Sequence, residues 1–296
     1  MPANTATAAD LLVSSRFSNN VLRYDGDSGA FRGVFASGNG MANPNGIAYG
    51  PDGNLYVGLG DVGTVLRFNG LTGAFIDQFV GGGTGGLTGC RAIVFGPDNH
   101  LYVNSGATNN VLRYHGQTGA FMGVSAQGNG LVGPVGLSFG PDGNLYVGAA
   151  LSNAVYAFSP SGSFIRSYSG GPAFSNATGV AFDPEGRMYA AQSVTNNVLR
   201  FDTATGTSLG AFAAGGGLSI PIGMIFAPDG NLLVGSFGND SVIKYNRLSG
   251  ASMGVFIAAG SGGLDGTHNF AYMPVPSPSA FALVLAGLAI ARRRRA

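Results

Sequence analysis

Short apolar runs of three to six residues, separated by turns rich in Gly, Pro, Asn and Asp, recur along this chain at a nearly constant interval. The phrase GPDGNLYVG occupies residues 50–58 and again 140–148, with degenerate copies at 96–104, 183–191 and 227–235. A fixed period in the range of 20–50 residues is the signature of a repeat architecture. The prolines of this turn are spaced 46, 44, 43 and 44 residues apart, at Pro51, Pro97, Pro141, Pro184 and Pro228.

Each period predicts four short strands. In the first complete unit they are 47–49, 55–57, 65–68 and 75–80, joined by Pro-Asp-Gly and Asn-Gly or Thr-Gly turns. Proline presets φ for such a turn, and glycine supplies the positive φ that lets the chain reverse. No stretch of the repeats carries a helical period. Four strands in a repeat of about 40–45 residues indicate one blade of a β-propeller.

The set of first strands is displaced relative to the other three. The second strand occurs six times, beginning at residue 11, whereas the sixth first strand, 269–272, stands alone after the last repeat. The sequence therefore predicts an all-β, six-bladed β-propeller of four-stranded antiparallel blades, closed by N- and C-terminal strands that share one blade. An aromatic residue ends every first strand and is expected to pack between adjacent blades: Tyr49, Phe95, Phe139, Phe182, Phe226 and Tyr272.

The composition argues against several classes of function. The net charge is +1 and charged residues make up 10% of the chain, so nothing favours nucleic acid as a partner. The chain has one cysteine, Cys90, one glutamate, Glu185, and three histidines. Acid–base and metal chemistry usually need several such groups close together. We therefore predict no catalytic residue, no metal site and no cofactor.

The remaining acidic and imidazole groups are interpreted as turn residues. Glu185 and His100 lie in the blade turn itself, and His115 lies in the turn between a third and a fourth strand. Asp25 and Asp27 in YDGDSG imitate the start of a calcium loop, but the spacing stops after two residues and the other copies have a hairpin turn there.

The repeat resembles that of the NHL-repeat propellers, and the segment PDNHLYV at 97–103 is close to their defining phrase. The resemblance covers residues 10–273. The wider superfamily includes gluconolactonase/senescence-marker proteins and virginiamycin B lyase, so a propeller enzyme of the lyase or lactonase type is the alternative to a non-catalytic binding or scaffold module. The metal-holding residues that such enzymes need have no matching positions here, which favours the binding module.

One position breaks the repeat. The residues that open the six first strands are Asn45, Arg91, Val135, Thr178, Ile222 and His268. The strongly polar ones fall in consecutive blades, so one arc of the channel mouth is expected to be polar and cationic and the opposite arc apolar. This arc either lines a water-filled channel or binds a ligand. In a ligand site, Arg91 would pair with an anionic group, and Asn45, His268 and Asn269 would form hydrogen bonds. Loops rich in Ser, Asn and Gly on the same face suit a glycan or protein partner.

The C-terminal residues differ from the repeats. A Pro/Ser linker at 274–279 precedes an apolar segment, 280–291, which is expected to form a short helix and is followed by Arg292, Arg293, Arg294 and Arg295. A twelve-residue helix reaches about 18 Å, short of the ~30 Å hydrocarbon core of a bilayer. The four arginines that end this terminal segment nevertheless favour membrane contact, with the arginines on the cytoplasmic side.

This layout resembles a PEP-CTERM sorting signal, with Val275, Pro276 and Pro278 at the motif and Ser277 in place of its glutamate. The resemblance implies a bacterial protein that is exported, processed by an exosortase-type enzyme and delivered to the cell envelope or extracellular matrix. A plain membrane anchor is the alternative. The N-terminal tail, 1–9, has no basic or apolar signal region, so we expect the true start to lie upstream.

Overall fold

The computed structural model describes residues 9–171 and 174–274, which form six four-stranded antiparallel sheets. The innermost strand of each sheet contacts the innermost strands of the two neighbouring sheets, and the last of them contacts the first, so the sheets form a closed ring. The predicted six-bladed propeller is confirmed. The short strands follow from the sequence, because each apolar run is bounded by turn residues.

The strands and short helices have the following bounds. In chain order the strands are β1 (Leu11–Ser15), β2 (Asn20–Tyr24), β3 (Phe31–Ser37), β4 (Pro44–Tyr49), β5 (Leu55–Leu59), β6 (Thr64–Phe68), β7 (Phe75–Val80), β8 (Cys90–Phe95), β9 (Leu101–Ser105), β10 (Asn110–Tyr114), β11 (Phe121–Gln127), β12 (Pro134–Phe139), β13 (Leu145–Ala149), β14 (Ala154–Phe158), β15 (Phe164–Tyr168), β16 (Ala177–Phe182), β17 (Met188–Gln192), β18 (Asn197–Phe201), β19 (Ser208–Ala214), β20 (Pro221–Phe226), β21 (Leu232–Ser236), β22 (Ser241–Tyr245), β23 (Ser252–Ile257) and β24 (Thr267–Tyr272). Single 3₁₀ turns occur at Thr84–Gly86, Phe237–Asn239 and Ser261–Gly263.

We number the blades from the first complete one. Blades 1 to 5 take four consecutive strands each from β4 onward, and blade 6 combines β24 with β1, β2 and β3. In blade 6 the first and last strands of the ring pair antiparallel, with Leu11 opposite Tyr272 and Val13 opposite Phe270. The predicted closure is thus confirmed, and it leaves no unpaired inner edge where the ring begins and ends.

The inner strands begin earlier than predicted. In blade 1 the strand starts at Pro44 rather than Ile47, because Pro44 pairs with Leu59 beyond a β-bulge. The same irregularity interrupts the inner strand of every blade. A bulge breaks the alternation of side chains between the two faces of a strand, so the alternation of apolar and polar residues in the sequence is lost there. We call the end of the ring where the inner strands begin the upper face.

The aromatic residues that end the inner strands pack between blades, as predicted. In blades 2 to 5 each meets the tyrosine of the second strand in the preceding blade in an edge-to-face contact. The ring centroids are 4.8 Å apart for Tyr56–Phe95, 5.0 Å for Tyr102–Phe139, 4.8 Å for Tyr146–Phe182 and 5.2 Å for Tyr189–Phe226.

The same tyrosines tie each blade to its own turn. The Tyr56 hydroxyl donates a hydrogen bond to the Asp52 carboxylate at 3.0 Å, and the equivalent tyrosines of blades 2 and 3 do the same. In blade 4, where the turn reads Asp-Pro-Glu-Gly, Tyr189 donates instead to Asp183, the residue before the proline. An aspartate of the turn therefore satisfies the polar end of an otherwise buried ring.

A glycine on the lower face brings neighbouring blades into backbone contact. Gly73, with φ of 72°, lies in the turn between β6 and β7, and a Cβ on it would stand 1.8 Å from the Phe35 carbonyl oxygen of blade 6. Gly119 and Gly250 approach the preceding blade in the same way. This turn needs glycine both for its left-handed backbone and for the close approach.

In five of the six blades, a left-handed Asn or Asp joins the blade to the next one on the upper face. The side-chain oxygen accepts a backbone N–H from the loop that precedes the next inner strand, over 2.6 to 2.9 Å. Blade 1 has Gly63 at this position instead. The five residues that make the contact are Asn19, Asn109, Asn153, Asn196 and Asp240.

The predicted features of the C-terminal tail lie outside the described residues. These are the helix at 280–291 and the sorting-signal residues Val275, Pro276, Pro278, Arg292, Arg293, Arg294 and Arg295. Within the described ranges, no helix has the length and apolar character needed to cross a bilayer. The chain reaches the lower face at the end of β24.

Candidate functional site

The bulges of the inner strands place six equivalent side chains around the upper mouth of the central channel. In blade 2 the bulge follows Cys90, and Asn104 from β9 holds it open: its Oδ1 accepts the backbone N–H groups of Arg91 and Ala92, each at 2.8 Å. The amide nitrogen of Asn104 donates to the Val135 carbonyl oxygen of blade 3 at 2.8 Å. The backbone that carries Arg91 is therefore fixed on both sides.

Arg91 is a cation that lines this mouth. Its side chain is exposed, and within residues 9–171 and 174–274 its guanidinium makes no ion pair or side-chain hydrogen bond. Partial burial in the mouth and the nearby positive charge of Arg16 lower the pKa of Arg91, while Asp61 opposes that shift. A guanidinium remains protonated in proteins, so a cation with five free donors faces the channel mouth.

Arg91 borders a cavity of about 670 Å³ on the upper face, which we call the upper cavity. Its volume is in the range usual for small-molecule sites. Asp61 of blade 1 lies on the same side as Arg91, and blades 3 and 5 contribute the apolar residues Val135, Leu151 and Ile222. Blade 4, between them, contributes Asn176, Thr178 and Ser193. The sequence pattern predicted a polar, cationic arc formed by Asn45, Arg91 and His268, and of these three residues Arg91 alone lines the upper cavity.

Two of the predicted mouth residues turn toward the protein instead. Asn45 is 1% exposed, and its Nδ2 donates to the Cys90 carbonyl oxygen of the next blade at 3.1 Å. Thr178 Oγ1 donates to the Pro221 carbonyl oxygen at 2.7 Å. Both side chains form interblade contacts, because each is short and its polar group lies at the level of a backbone carbonyl of the neighbouring inner strand.

His268 is fully buried at the mouth. Its Nδ1 lies 3.3 Å from the Asn269 amide nitrogen, and its Nε2 has no hydrogen-bond partner in the described part of the chain. Burial first, and then the positive charges of Arg16 and Arg91, lower the pKa of His268 to about 3. His268 is therefore neutral at physiological pH and does not line the upper cavity.

Asn269 occupies the channel itself. The equivalent position is Gly or Ala in the other five blades, whereas the Asn269 side chain extends across the lumen to blade 2. Below it lies a second cavity of about 470 Å³, lined by backbone and by apolar side chains that include Phe182, Phe226 and Tyr272. Asn269 thus borders the lower cavity, and Arg91 borders the upper one.

Sequence reasoning placed Arg16 and Phe17 only in a loop and missed their role at the mouth. The Arg16 guanidinium lies 5.4 Å above the Phe17 ring and 3.8 Å from the Asp61 carboxylate. The Phe17 ring lies 5.7 Å from that of Phe237, and Phe237 meets His268 edge-on. These contacts join loops of blades 5, 6 and 1, and no single repeat contains the signal for them.

The other polar groups considered from the sequence, Glu185, His100 and His115, form ion pairs or hydrogen bonds within or near their turns. Glu185 lies in its turn and forms ion pairs with Arg187 and Arg247, each at 2.8 Å. The rings of His100 and His115 are 5.1 Å apart, and the Nδ1 of each accepts a backbone N–H. Over the described ranges, no three His, Cys, Asp or Glu side chains are grouped closely enough to hold a metal ion.

The YDGDSG segment forms a hairpin turn, as interpreted. The Asp25 Oδ1 accepts the backbone N–H groups of Asp27 and Ser28, and its other oxygen pairs with Arg32. Its hydrogen bonds with Ser28, followed by that with Arg32, lower the pKa of Asp25 below its usual range.

Comparison with known proteins identifies the fold. No protein-family model and no curated protein matches this sequence. A virginiamycin B lyase from Staphylococcus aureus superposes with a TM-score of 0.58 at 16% identity, over 71% of this chain and 68% of that one. A chain of a nidogen/laminin complex gives 0.72 at 14% identity, over 90% and 98%. A Bacteroides caccae protein of unknown function gives 0.70 at 12% identity, over 90% and 100%.

At these identities the similarity extends to the architecture alone. The chain is a six-bladed propeller similar to those of the NHL type, a fold found both in an enzyme and in a protein complex. Function must therefore be argued from the upper face of this molecule.

Proposed function

We propose that this protein is an exported, non-catalytic binding or scaffold module of the cell surface or extracellular matrix, with the upper face as its binding surface. The observation that carries the proposal is the unpaired Arg91 guanidinium beside the 670 Å³ upper cavity. An exposed arginine held on a rigid backbone and left without a carboxylate is available to an external anion or hydrogen-bond acceptor.

The chemistry around the mouth supports binding over catalysis. His268 is buried and neutral, so it is a poor candidate for a general base, and Asp61 is engaged by Arg16 and Asn43. General acid–base catalysis needs a titratable group within reach of the substrate. A propeller enzyme of the lyase or lactonase type remains the alternative, and it would retain a tightly bound divalent metal after purification. Metal analysis of the purified protein separates the two.

The export route rests on the tail. A Pro-rich linker, an apolar segment and Arg292–Arg295 suit recognition by an exosortase-type enzyme, with brief residence in the membrane. The described fold ends close to where the motif begins, so removal of the tail would leave every blade complete. Mass spectrometry of protein from the native host should find the chain ending near Pro278. An intact C-terminus in the mature protein would contradict this route.

Binding at the upper face is tested by retention. Purified protein is mixed with washed cell envelopes and matrix from the native host, and the sedimented fraction is measured. We expect Arg91→Ala to reduce retention at least fivefold. Arg166→Ala is the control for losing an arginine away from the upper face, because Arg166 is half-buried on the outer strand of blade 3 and donates to the Ala204 carbonyl oxygen. Equal retention of the two variants would contradict a role for the upper face.

A further inference from the structure

The two sides of the upper cavity differ in chemistry. On the cationic side Asp61 does not neutralise Arg91, because its carboxylate pairs with Arg16 at 3.8 Å and accepts a hydrogen bond from the Asn43 amide. One carboxylate thus lies near two arginines at this side of the mouth and, of the two, pairs with Arg16 alone. The nearby carboxylates of Asp240 and Asp265 do not line the cavity.

The opposite side offers apolar surface. Leu151 is 72% exposed and Ile220 is 43% exposed, and both line the cavity together with Val135 and Ile222. Leu151 lies over Gly133, where a Cβ would come within 2.7 Å of the leucine side chain. Covering apolar side chains that are exposed to water at the edge of a cavity is favourable in free energy.

Part of the polar surface on this side is already hydrogen-bonded, although Asn176 and Ser193 also line the cavity. The Thr178 hydroxyl is committed to the Pro221 carbonyl oxygen, and the Asn176 backbone N–H is bonded to Asn153. A ligand that covers Leu151 and Ile220 would therefore leave the Thr178 hydroxyl and the Asn176 N–H satisfied. One strong donor on one side and a large apolar surface on the other define an amphipathic site.

We propose that the upper cavity binds a small apolar monocarboxylate, with the carboxylate on Arg91 and an aliphatic or aromatic body against Leu151, Ile220 and Ile222. The proposal rests on the proposed function, since it names the ligand class of the same surface. The Arg91 guanidinium donates two parallel hydrogen bonds to the carboxylate oxygens. The apolar body displaces water from the opposite wall.

The ligand class is tested by calorimetric titration with four probes: octanoate, 1-octanol, acetate and octyltrimethylammonium. Octanoate should bind at least tenfold more tightly than octanol, and acetate and the cationic probe should not bind detectably. Across butanoate, hexanoate and octanoate, affinity should rise about two- to fourfold per added methylene, as expected for burial of apolar surface. Equal binding of octanoate and octanol, or preference for the cationic probe, would overturn the proposal.

Two variants locate the site. Arg91→Gln should weaken octanoate at least tenfold and leave octanol within twofold, whereas Leu151→Ser should weaken both. Arg166→Gln is the control for the lost charge. Leu248→Ser is the control for the lost apolar side chain, because Leu248 is 70% exposed and lies in a turn of the lower face. If the controls weaken binding as much as the cavity variants, the upper cavity is not the site.

The two proposals fail in different ways. If envelope retention depends on Arg91 but octanoate does not bind, the ligand class is wrong and the binding surface stands. If octanoate binds at Arg91 but the protein is not retained by envelopes or matrix, the carboxylate site stands and the scaffold function is wrong.

Discussion

The Nδ2 of Asn269 donates a hydrogen bond to the backbone carbonyl oxygen of Arg91, 3.2 Å away, although the two residues belong to blades 6 and 2, with blade 1 between them. The bond joins a residue that borders the lower cavity, Asn269, to one that borders the upper cavity, Arg91. Together with Asn104, which accepts the Arg91 backbone N–H at 2.8 Å, it fixes both peptide groups that flank the Arg91 side chain.

Asn269→Gly should lower the free energy of unfolding by about 1–2 kcal/mol, because it removes a hydrogen bond and adds a flexible residue to a strand. Chemical denaturation measures the change. Asn39→Gly serves as the control, since Asn39 lies in an exposed loop with φ of 53° and should change stability by less than about 0.5 kcal/mol. Equal effects would mean that the bond between Asn269 and Arg91 contributes nothing.

The lower-face glycines provide a pair that separates backbone strain from steric clash. Gly73 and Gly53 have φ of 72° and 74°, but a Cβ on Gly73 would meet the Phe35 carbonyl oxygen, whereas a Cβ on Gly53 would meet nothing within 4 Å. Gly53→Ala should cost about 1–2 kcal/mol from strain alone. Gly73→Ala should cost about 1–3 kcal/mol more. Similar melting temperatures for the two variants would show that the neighbouring blade can move away from the added Cβ at little cost in free energy.

His268 should make the fold sensitive to mild acid. Its pKa is about 3 in the folded chain and 6.5 when unperturbed, so between these values the unfolded state binds a proton that the folded state does not. The stabilising effect is complete above pH 6.5 and is lost as the pH falls. By pH 5 the loss should approach about 2 kcal/mol.

His268→Gln should remove this dependence while His100 and His115 remain. The free energy of unfolding is measured in urea at pH 7.5, 6.5 and 5.0 for the two proteins. The change of this free energy with pH is compared, rather than its absolute value. Parallel slopes would show that His268 is accessible to protons in the folded chain.

Gly63 tests whether the repeat consensus can be applied at every blade. Five blades carry Asn or Asp at this position, so the consensus recommends Gly63→Asn. The structure predicts the opposite, since a Cβ on Gly63 would lie 2.1 Å from the Leu87 carbonyl oxygen. We expect a loss of about 1–3 kcal/mol. In Asn109→Gly, which removes an existing contact, the loss should be about 1 kcal/mol. A gain in melting temperature for Gly63→Asn would contradict the structure.

The fold was predictable because its information is local and repeated. The Pro-Asp-Gly turn and the apolar runs specify each hairpin, and the displaced first strand specifies the closure between Leu11 and Tyr272. The starts of the inner strands were misjudged by about three residues, because the bulge after Pro44 interrupts the alternation on which the prediction relied.

The site was only half predictable. Alignment of the repeats correctly brought Asn45, Arg91 and His268 to equivalent positions at the mouth. It could not tell that Asn45 reaches the Cys90 carbonyl oxygen while Arg91 reaches solvent, since that depends on side-chain length and on the neighbouring blade. The surroundings of His268 include the Phe237 ring of blade 5 and the positive charge of Arg16, which lies in a loop more than 250 residues earlier in the chain.

The pairing of β24 with β1 also has a consequence for the order of events during synthesis. The strand that completes blade 6 is the last of the ring to leave the ribosome, more than 250 residues after its partner, as the separation between Ser14 and Asn269 of 255 positions shows. Blades 1 to 5 are built from consecutive strands and can assemble as they emerge, but the circle stays open until translation of the repeats is finished. A nascent chain interrupted before Thr267 would leave one edge of β1 without its partner strand, and β20 and β4 without the inner strand that packs between them. The ring can therefore close only after the last strand has been translated.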